Sequence, residues 1–491
     1  MLNSDERRRQ AGHTLLYLLP TVIGSIVPLA TLPVLTRILS PAEYGVWGLS
    51  TVYASFATGI ANFGLTLGYE RNYFQHEGSR DRGALLYSVL AFVTATFIAV
   101  GAITWIARGW LAAHVIGDQH YGTLLFCGYC GSVVTNVKAY YLIYFRNQED
   151  ARAYTWFSID ETILTAVASV ALVAWWRLGP LGLVLGQLIA ASTVLVAVVV
   201  RVGRKLQPSF DRSLLTDALR ISVPLTPRIF LGVLGSNFDK YMIGLLASTG
   251  GVGIYAIGQR IAMVAFQFMT AIENVFAPQV YKRMFALGAE GGASIGRYLT
   301  PFAYLSVGVS LGIALFAAEA ISILTPGAYH GAAAVVGLLT VSYTLMFFGK
   351  MPQLTYAKKT AITSVLTLVT IAFNVGINLV FVPRWGAVGA AAGTMLAGIL
   401  SGVVAFAVRQ HYYRIEWENG RMIAIFGVLM AGTLIVAGLE AAGAPYVAQL
   451  GIKLLSVCAF AGLGVHLGYL SKANVRAVVG GLRGRVGGAT S

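Results

Sequence analysis

The sequence predicts an all-α integral membrane protein of about fourteen transmembrane helices. They form two pseudo-symmetric six-helix bundles around a central cavity, with two further helices at the C-terminal end. Three observations predict this. Hydrophobic residues make up 57% and charged residues 11% of the 491, far fewer charges than the ~25% of a soluble globule. Apolar stretches recur from residue 14 to residue 470, each close to the ~20 residues that cross a bilayer as a helix. Lysine and arginine gather in alternate gaps between those stretches.

The stretches run 14–39, 44–69, 83–106, 121–145, 153–176, 180–201, 218–247, 252–281, 298–323, 331–356, 361–382, 386–408, 422–440 and 446–470. The first is longer than the ~7–15 apolar residues of a signal peptide, and no small-residue cleavage site follows it, so it is expected to stay as a helix. With the N-terminal end counted as the first gap, 25 of the 35 lysines and arginines lie in or at the edges of the odd-numbered gaps, the C-terminal tail among them, 4 in or at the edges of the even-numbered gaps (Arg37, Arg108, Arg177 and Arg384) and 6 well inside the stretches. Cytoplasmic loops attract these cations, so both termini are expected in the cytoplasm. The formal charge of +15 is spread over many short gaps. That is what topology demands, and it argues against a nucleic-acid surface, which collects its cations into a patch. Cys127 and Cys130 form a CxxC within a membrane stretch and have no second pair, so neither a metal site nor a cofactor is expected.

Two short patterns recur at almost one offset. Gly45-Val46-Trp47-Gly48-Leu49 matches Gly253-Ile254-Tyr255-Ala256-Ile257, 208 residues on, and Gly179, Gly182 and Gly186 match Gly386, Gly389 and Gly393, 207 residues on. The first stretch of each half is marked by proline: Pro20, Pro28 and Pro33 in one, Pro224 and Pro227 in the other. The chain therefore divides into a bundle over 1–205, its repeat over 206–410, and two added helices with a basic tail over 411–491. An even number of helices per half keeps the repeats parallel, and paired bundles suit alternating access.

The run Leu32-Pro-Val-Leu-Thr-Arg-Ile-Leu-Ser-Pro-Ala-Glu-Tyr-Gly45 resembles the first helical hairpin of polysaccharide-transporter proteins. Asn237-Phe-Asp-Lys-Tyr-Met-Ile-Gly-Leu-Leu246 with Val252-Gly-Ile-Tyr-Ala256 resembles their seventh-to-eighth hairpin. Tyr356-Ala-Lys-Lys359, Asn378-Leu-Val-Phe-Val-Pro383 and Gly386-Ala-Val-Gly-Ala390 are similar to their tenth to twelfth helices. The resemblance spans nearly the whole chain. It points to the O-antigen and exopolysaccharide flippases of the multidrug/oligosaccharidyl-lipid/polysaccharide exporter superfamily. It implies a bacterial inner-membrane protein that moves an undecaprenyl-diphosphate-linked oligosaccharide from the cytoplasmic to the periplasmic leaflet. A polysaccharide polymerase and a chain-length regulator are its implied partners, beside membrane lipids.

Six cations lie inside the stretches: Lys138, Arg228, Lys240, Arg260, Lys350 and Lys453. Each is costly at the bilayer centre, by about 2.5–3.5 kcal/mol or more, and should face protein or water. A diphosphate headgroup needs cations along its route, and arginine grips phosphate with two parallel hydrogen bonds. Arg228, Arg260, Lys350 and Lys138 are expected to line that route. Gln267 and Asn274 extend Arg260 into one polar stripe, drifting only about 20° per seven residues. The alternative is internal pairing of Asp239 with Arg260, Glu273 with Lys350 and Glu161 with Lys138, which fixes helix register and binds nothing. Asp239 shares a helical face with Arg228 and, with Glu273, is a candidate for coupling transport to protons or sodium. Glu43, Glu319 and Glu440 read as solvated helix caps, and Tyr140, Tyr141 and Tyr144 as sugar contacts or interfacial aromatics.

Rival readings are a lipid II flippase, a drug or cation antiporter of the same superfamily, and an integral-membrane polysaccharide polymerase or ligase. The antiporter would favour an acidic lumen. The enzyme would usually need a sizeable outer loop carrying catalytic groups, and the outer loops here are short, with His114 and His120 lacking an obvious partner. No nucleotide-binding loop or nucleophile-base arrangement appears, so the chain reads as a transporter rather than an enzyme.

Overall fold

The computed structural model describes residues 4–76 and 78–469, with only the backbone described for 4–15, 17, 18, 360 and 441. No strand occurs among the described residues. The helices are, in order, α1 (Ser4–Ile38), α2 (Pro41–Ala61), α3 (Leu65–Tyr73), α4 (Ser79–Ile106), α5 (Arg108–Val115), α6 (Gly122–Asn147), α7 (Ala151–Ala174), α8 (Pro180–Gly203) and α9 (Arg212–Leu246). They continue with α10 (Thr249–Leu287), α11 (Gly291–Leu315), α12 (Ala317–Leu324), α13 (Ala332–Leu345), α14 (Gln353–Tyr356), α15 (Thr360–Tyr412), α16 (Asn419–Ala441) and α17 (Tyr446–His466).

Ten stretches among the described residues are long and apolar enough to cross a membrane. One of them joins α10 to α11, and another is α15, which breaks at Gly386 into the two spans expected there. Two expected spans are interrupted. The stretch 44–69 stops at Ala61, where Phe63 (φ 48°) and Gly64 (φ 63°) turn the chain before α3. The stretch 331–356 leaves the α-helix at Leu345 for a 3-10 turn over Met346–Lys350, ahead of Pro352.

Local signals set the helix starts. Ser40 caps α2 in a reciprocal box with Glu43, with Pro41 in the first turn, satisfying N–H groups that a helix start leaves unpaired. Asp211 accepts from the N–H groups of Ser213 and Leu214 at the start of α9. These donors and the Ser213 hydroxyl, the largest influence, hold its carboxyl below the usual range. Gly179 (φ 57°, ψ −138°) opens α8 and Gly386 (φ 54°, ψ −126°) opens the second half of α15 with nearly the same backbone, one that only glycine adopts without strain.

The chain packs as two compact units. The first comprises 1–257, 322–330 and 378–390. Its core is rich in tyrosine, with Tyr69, Tyr73, Tyr140, Tyr141 and Tyr144 packed on Leu85, Val89 and Val198. The tyrosines at 140, 141 and 144 are thus core residues and neither sugar contacts nor an interfacial belt. Within this unit α9 lies against α2, α3 and α4, so the unit boundary does not coincide with the repeat boundary at 205/206. Glycines permit the approach. A side chain at Gly68 would strike Ser222 and Ala218, and one at Gly244 would strike Leu49. The second unit comprises 258–321, 331–377 and 391–491. Its core gathers Phe276, Leu299, Val307, Phe347, Ile425 and Phe460, so that α16 and α17 pack on α11.

Candidate functional site

In the first unit the acid expected on α9 is buried. Asp239 is 8% exposed. One carboxyl oxygen accepts from the Tyr255 hydroxyl at 2.6 Å, and the other from the Asn378 side-chain amide at 2.8 Å. Buried carboxylates persist in apolar surroundings only when hydrogen-bonded. Arg228, eleven residues earlier, is exposed and has no ion pair or hydrogen bond from its guanidinium among the described residues. Eleven residues of helix span about 16 Å, so the shared face expected of Arg228 and Asp239 holds two separate environments.

Lys138 on α6 is paired with Glu161 of α7. Its side chain is 3% exposed, and its partner is the one expected of the alternative in which these charges pair internally. Helix α6 also carries Tyr140, Tyr141 and Tyr144 of the tyrosine core, and a charge buried beside them is held by taking a carboxylate with it. Lys240 is half-buried at the end of α9.

The second unit carries the polar stripe of α10. Arg260 and Gln267 are half-buried, and Asn274 is exposed. Beside Asn274, Glu273 accepts from Lys350 at 2.8 Å, and the Lys350 ammonium lies 5.3 Å from the centre of the Phe266 ring. Lys350 ends the 3-10 turn that interrupts the expected tenth span.

Lys453 on α17 is fully buried. It donates to both oxygens of Glu319 at 2.7 and 2.9 Å and lies 4.0 Å from Glu440. Tyr446 also donates to Glu319. Glu319 and Glu440 are therefore partners of a buried lysine and not solvated caps, while Glu43 does cap α2. His120 bonds Asp118 at 2.7 Å, and His114 bonds the Trp110 carbonyl at 2.8 Å. Each of these loop histidines thus has a partner. The backbone N–H of His120, chiefly, keeps the Asp118 carboxyl below its ordinary range. No cluster of three or more His, Cys, Asp or Glu residues fit to hold a metal occurs among the described residues.

Sequence reasoning missed Tyr255, Asn378 and the carboxylate pair around Lys453. Asn378 and Glu319 arrive from helices remote in sequence, and Tyr255 and Glu440 from the neighbouring helix. The only prior signal was that an acid or a lysine inside a membrane must find partners.

The two repeated patterns meet in the first unit. A Cβ at Gly45 would run into the carbonyl of Thr249, and one at Gly253 into the carbonyl of Pro41. Each glycine thus receives the backbone that precedes the other, a reciprocity expected of elements related by a two-fold axis.

The chain belongs to the polysaccharide biosynthesis protein family, whose sequence model matches residues 34–334. No curated protein sequence matches it. Among solved structures it is similar to a lipid II flippase, MurJ, in an inward closed conformation, with a TM-score of 0.70 and 11% identity over 91% of this chain and 98% of that one. It is also similar to an inward-facing multidrug resistance MATE family transporter of the MOP superfamily, with a TM-score of 0.64 and 16% identity over 83% and 98%. A Vibrio cholerae MATE transporter gives 0.54 and 14% over 82% and 96%. At these identities the likeness is one of fold. The chain is a multi-pass membrane protein with the fold of that superfamily.

Proposed function

We propose that the protein is a flippase that carries an undecaprenyl-diphosphate-linked oligosaccharide, an O-antigen or exopolysaccharide repeat unit, from the cytoplasmic to the periplasmic leaflet of a bacterial inner membrane. Both termini are cytoplasmic in this reading. The repeats over 1–205 and 206–410 move against each other in alternating access, with 411–491 as an added helix pair. A polymerase and a chain-length regulator would take up the product on the outer side.

The observation that carries the reading is Arg228. A guanidinium in the apolar span of a membrane helix, exposed and without a carboxylate among the described residues, is stabilised by an anion it can grip with two hydrogen bonds. Arg260 and Lys350, with Gln267 and Asn274, are assigned to the same headgroup. Lys138 is assigned to helix register through Glu161. Asp239, buried on α9, is the candidate coupling group, binding a proton or a sodium ion. The reciprocal glycines Gly45 and Gly253 and the matching bends at Gly179 and Gly386 support the division into repeats.

The test is glycan export in cells that carry Arg228→Ala, Arg260→Ala or Lys350→Ala at matched expression. Each variant is expected to insert and fold with export impaired, while Arg228→Lys keeps part of it. Normal export in the three alanine variants would overturn the assignment. Single cysteines at Ser79, Ser209 and Ser294 should be shielded from an impermeant reagent, and one at Ser248 labelled by it. Labelling at Ser209 in sealed cells would reverse the orientation.

A further inference from the structure

Phe63 holds an unfavourable backbone conformation inside an apolar stretch. Its φ of 48° lies in the left-handed region, as does that of Gly64 at 63°. Glycine adopts that region freely, whereas a bulky residue does so at a cost. No proline lies between Ala42 and Tyr73, so no missing N–H stops the helix here. The break between α2 and α3 is imposed by what packs around it.

Two sets of contacts hold the bend, and both lie in the first unit. In a continuous helix the Ala61 carbonyl would accept from the Leu65 N–H, which here goes to the Asn62 carbonyl. The Thr96 hydroxyl of α4 donates to the Ala61 carbonyl instead, at 2.8 Å. The Tyr140 hydroxyl of α6 donates to the Asn62 side-chain oxygen at 2.5 Å, and the Asn62 amide donates to Thr66 at 3.0 Å.

The second set docks α3 on α9. A Cβ on Gly64 would stand 2.8 Å from Ile229, and one on Gly68 would stand 2.6 Å from the Ala218 carbonyl and strike the Ser222 hydroxyl. Gly64 and Gly68 are about one helical turn apart, as are Ala218 and Ser222, so two backbones meet over small residues. The Ser222 hydroxyl is buried in this contact and has no hydrogen-bond partner among the described residues. A buried hydroxyl left unpaired weighs against the state that buries it.

Strained residues persist only where the rest of the structure holds them, and they gather at switching segments. The strain at Phe63 and the unpaired Ser222 hydroxyl both oppose the docked arrangement. One movement relieves both: α2 continues through Phe63 and Gly64 into α3, and α3 leaves α9. The Ala61 carbonyl then returns to the Leu65 N–H. We propose that Phe63–Gly64 is a hinge of this kind, which docks α3 on α9 when bent and parts them when straight. It acts at the end of the unit that carries Arg71, Arg80 and Arg82. Only its use in transport, as a closure on the cytoplasmic side, rests on the flippase reading above.

The test is the alkylation rate of Leu65→Cys, at a position fully buried in the docked form. It is measured on the purified full chain carrying Cys127→Ser, Cys130→Ser and Cys458→Ser. F63G and F63A both lose the packing of the Phe63 ring on Phe92. Glycine alone relieves the bent backbone, and alanine favours the straight helix. F63G is therefore expected to label about threefold or more slowly than F63A. G68A sets a methyl group against Ser222 and Ala218 and is expected to label about tenfold faster than its parent. Val198→Cys, at a buried position of the same core on α8, reports general loosening and should keep its rate. If G68A raises both rates, its packing is lost and the ratio of F63G to F63A decides. Equal labelling of F63G and F63A would overturn the hinge. If the chain exports no glycan, the flippase reading falls, and the same ratio still decides whether Phe63–Gly64 bends and straightens.

Discussion

Lys138 sits within the uninterrupted helix α6, its side chain 3% exposed against Glu161, whereas Lys350 sits where a helix has given way to a 3-10 turn, its side chain 20% exposed between Glu273 and the Phe266 ring. The sequence offers the same ingredients in both places, one lysine and one glutamate inside apolar stretches. Packing makes the difference. Lys138 is closed in to 3% exposure on the helix that carries Tyr140 and Tyr141, while Glu161 keeps 20% of its side chain exposed. Around Lys350 both side chains are partly accessible, 20% and 25% exposed, so in the proposed reading an incoming anion competes with Glu273. The proposed function makes the first pair a register device and the second a binding element.

The comparison breaks most visibly on removing one partner. Lys138→Ala empties a site that is 3% exposed and leaves Glu161 without its partner, and is expected to cost about 3 kcal/mol, enough to deplete the protein from the membrane. Lys350→Ala removes a lysine already 20% exposed and is expected to cost about 1 kcal/mol or less. Thermal unfolding of the two purified variants in one detergent measures the contrast. Equal losses would mean that the two pairs do the same work.

Removing both partners sharpens it. Lys138→Met with Glu161→Leu replaces the sealed pair by apolar side chains and is expected to restore stability with export retained, since buried pairs are often matched by hydrophobic isosteres. Lys350→Met with Glu273→Leu should fold equally well and lose about tenfold or more of its export, because the cation itself is used. Export that survives the second double replacement would reduce Lys350 to a packing role.

Asp239 shows a third arrangement, a buried carboxylate held by neutral donors from Tyr255 and Asn378. Asp239→Asn keeps a side chain of the same shape but removes the charge that a proton or sodium ion would neutralise. Flipping in vesicles with and without an imposed gradient should lose its dependence on that gradient in the variant. Gradient dependence that persists would leave Asp239 as a structural acceptor.

These contrasts show what the sequence could disclose. Membrane helices were legible because length and hydropathy suffice to define them. The break of α15 at Gly386 was legible because its glycine trio repeats that at Gly179. The start of α2 follows from Ser40, Pro41 and Glu43. The turn at Phe63 and Gly64 was not legible, since one glycine in an apolar run does not announce a positive φ on the residue before it. The six intramembrane cations could be found by counting, but their settings could not. Whether a lysine meets a core or a broken helix depends on neighbours that arrive from elsewhere in the chain, as Glu319 and Glu440 do for Lys453. Arg409 was read as a loop cation because it lies past the apolar stretch, and only packing against Gly349 moves it inward.

The smallest effect expected is at Phe266, and it isolates what holds Lys350 apart from its carboxylate. A ring face near an ammonium contributes about 0.5–1 kcal/mol at a partly exposed site, and Lys138 has no comparable ring among the described aromatic–cation contacts. Phe266→Leu keeps an apolar side chain on α10 and leaves Glu273 in place, so the unfolding temperature should fall by only a few degrees. Lys350 would lean more heavily on Glu273 once the ring is gone, and an anion would have to compete harder for it. Export should therefore drop about two- to fivefold, and adding Glu273→Gln, which weakens the competing carboxylate, should return it toward the wild-type rate. If Phe266→Leu exports normally and Glu273→Gln alone has no effect on export, Lys350 does not exchange partners, and the distinction from Lys138 reduces to exposure.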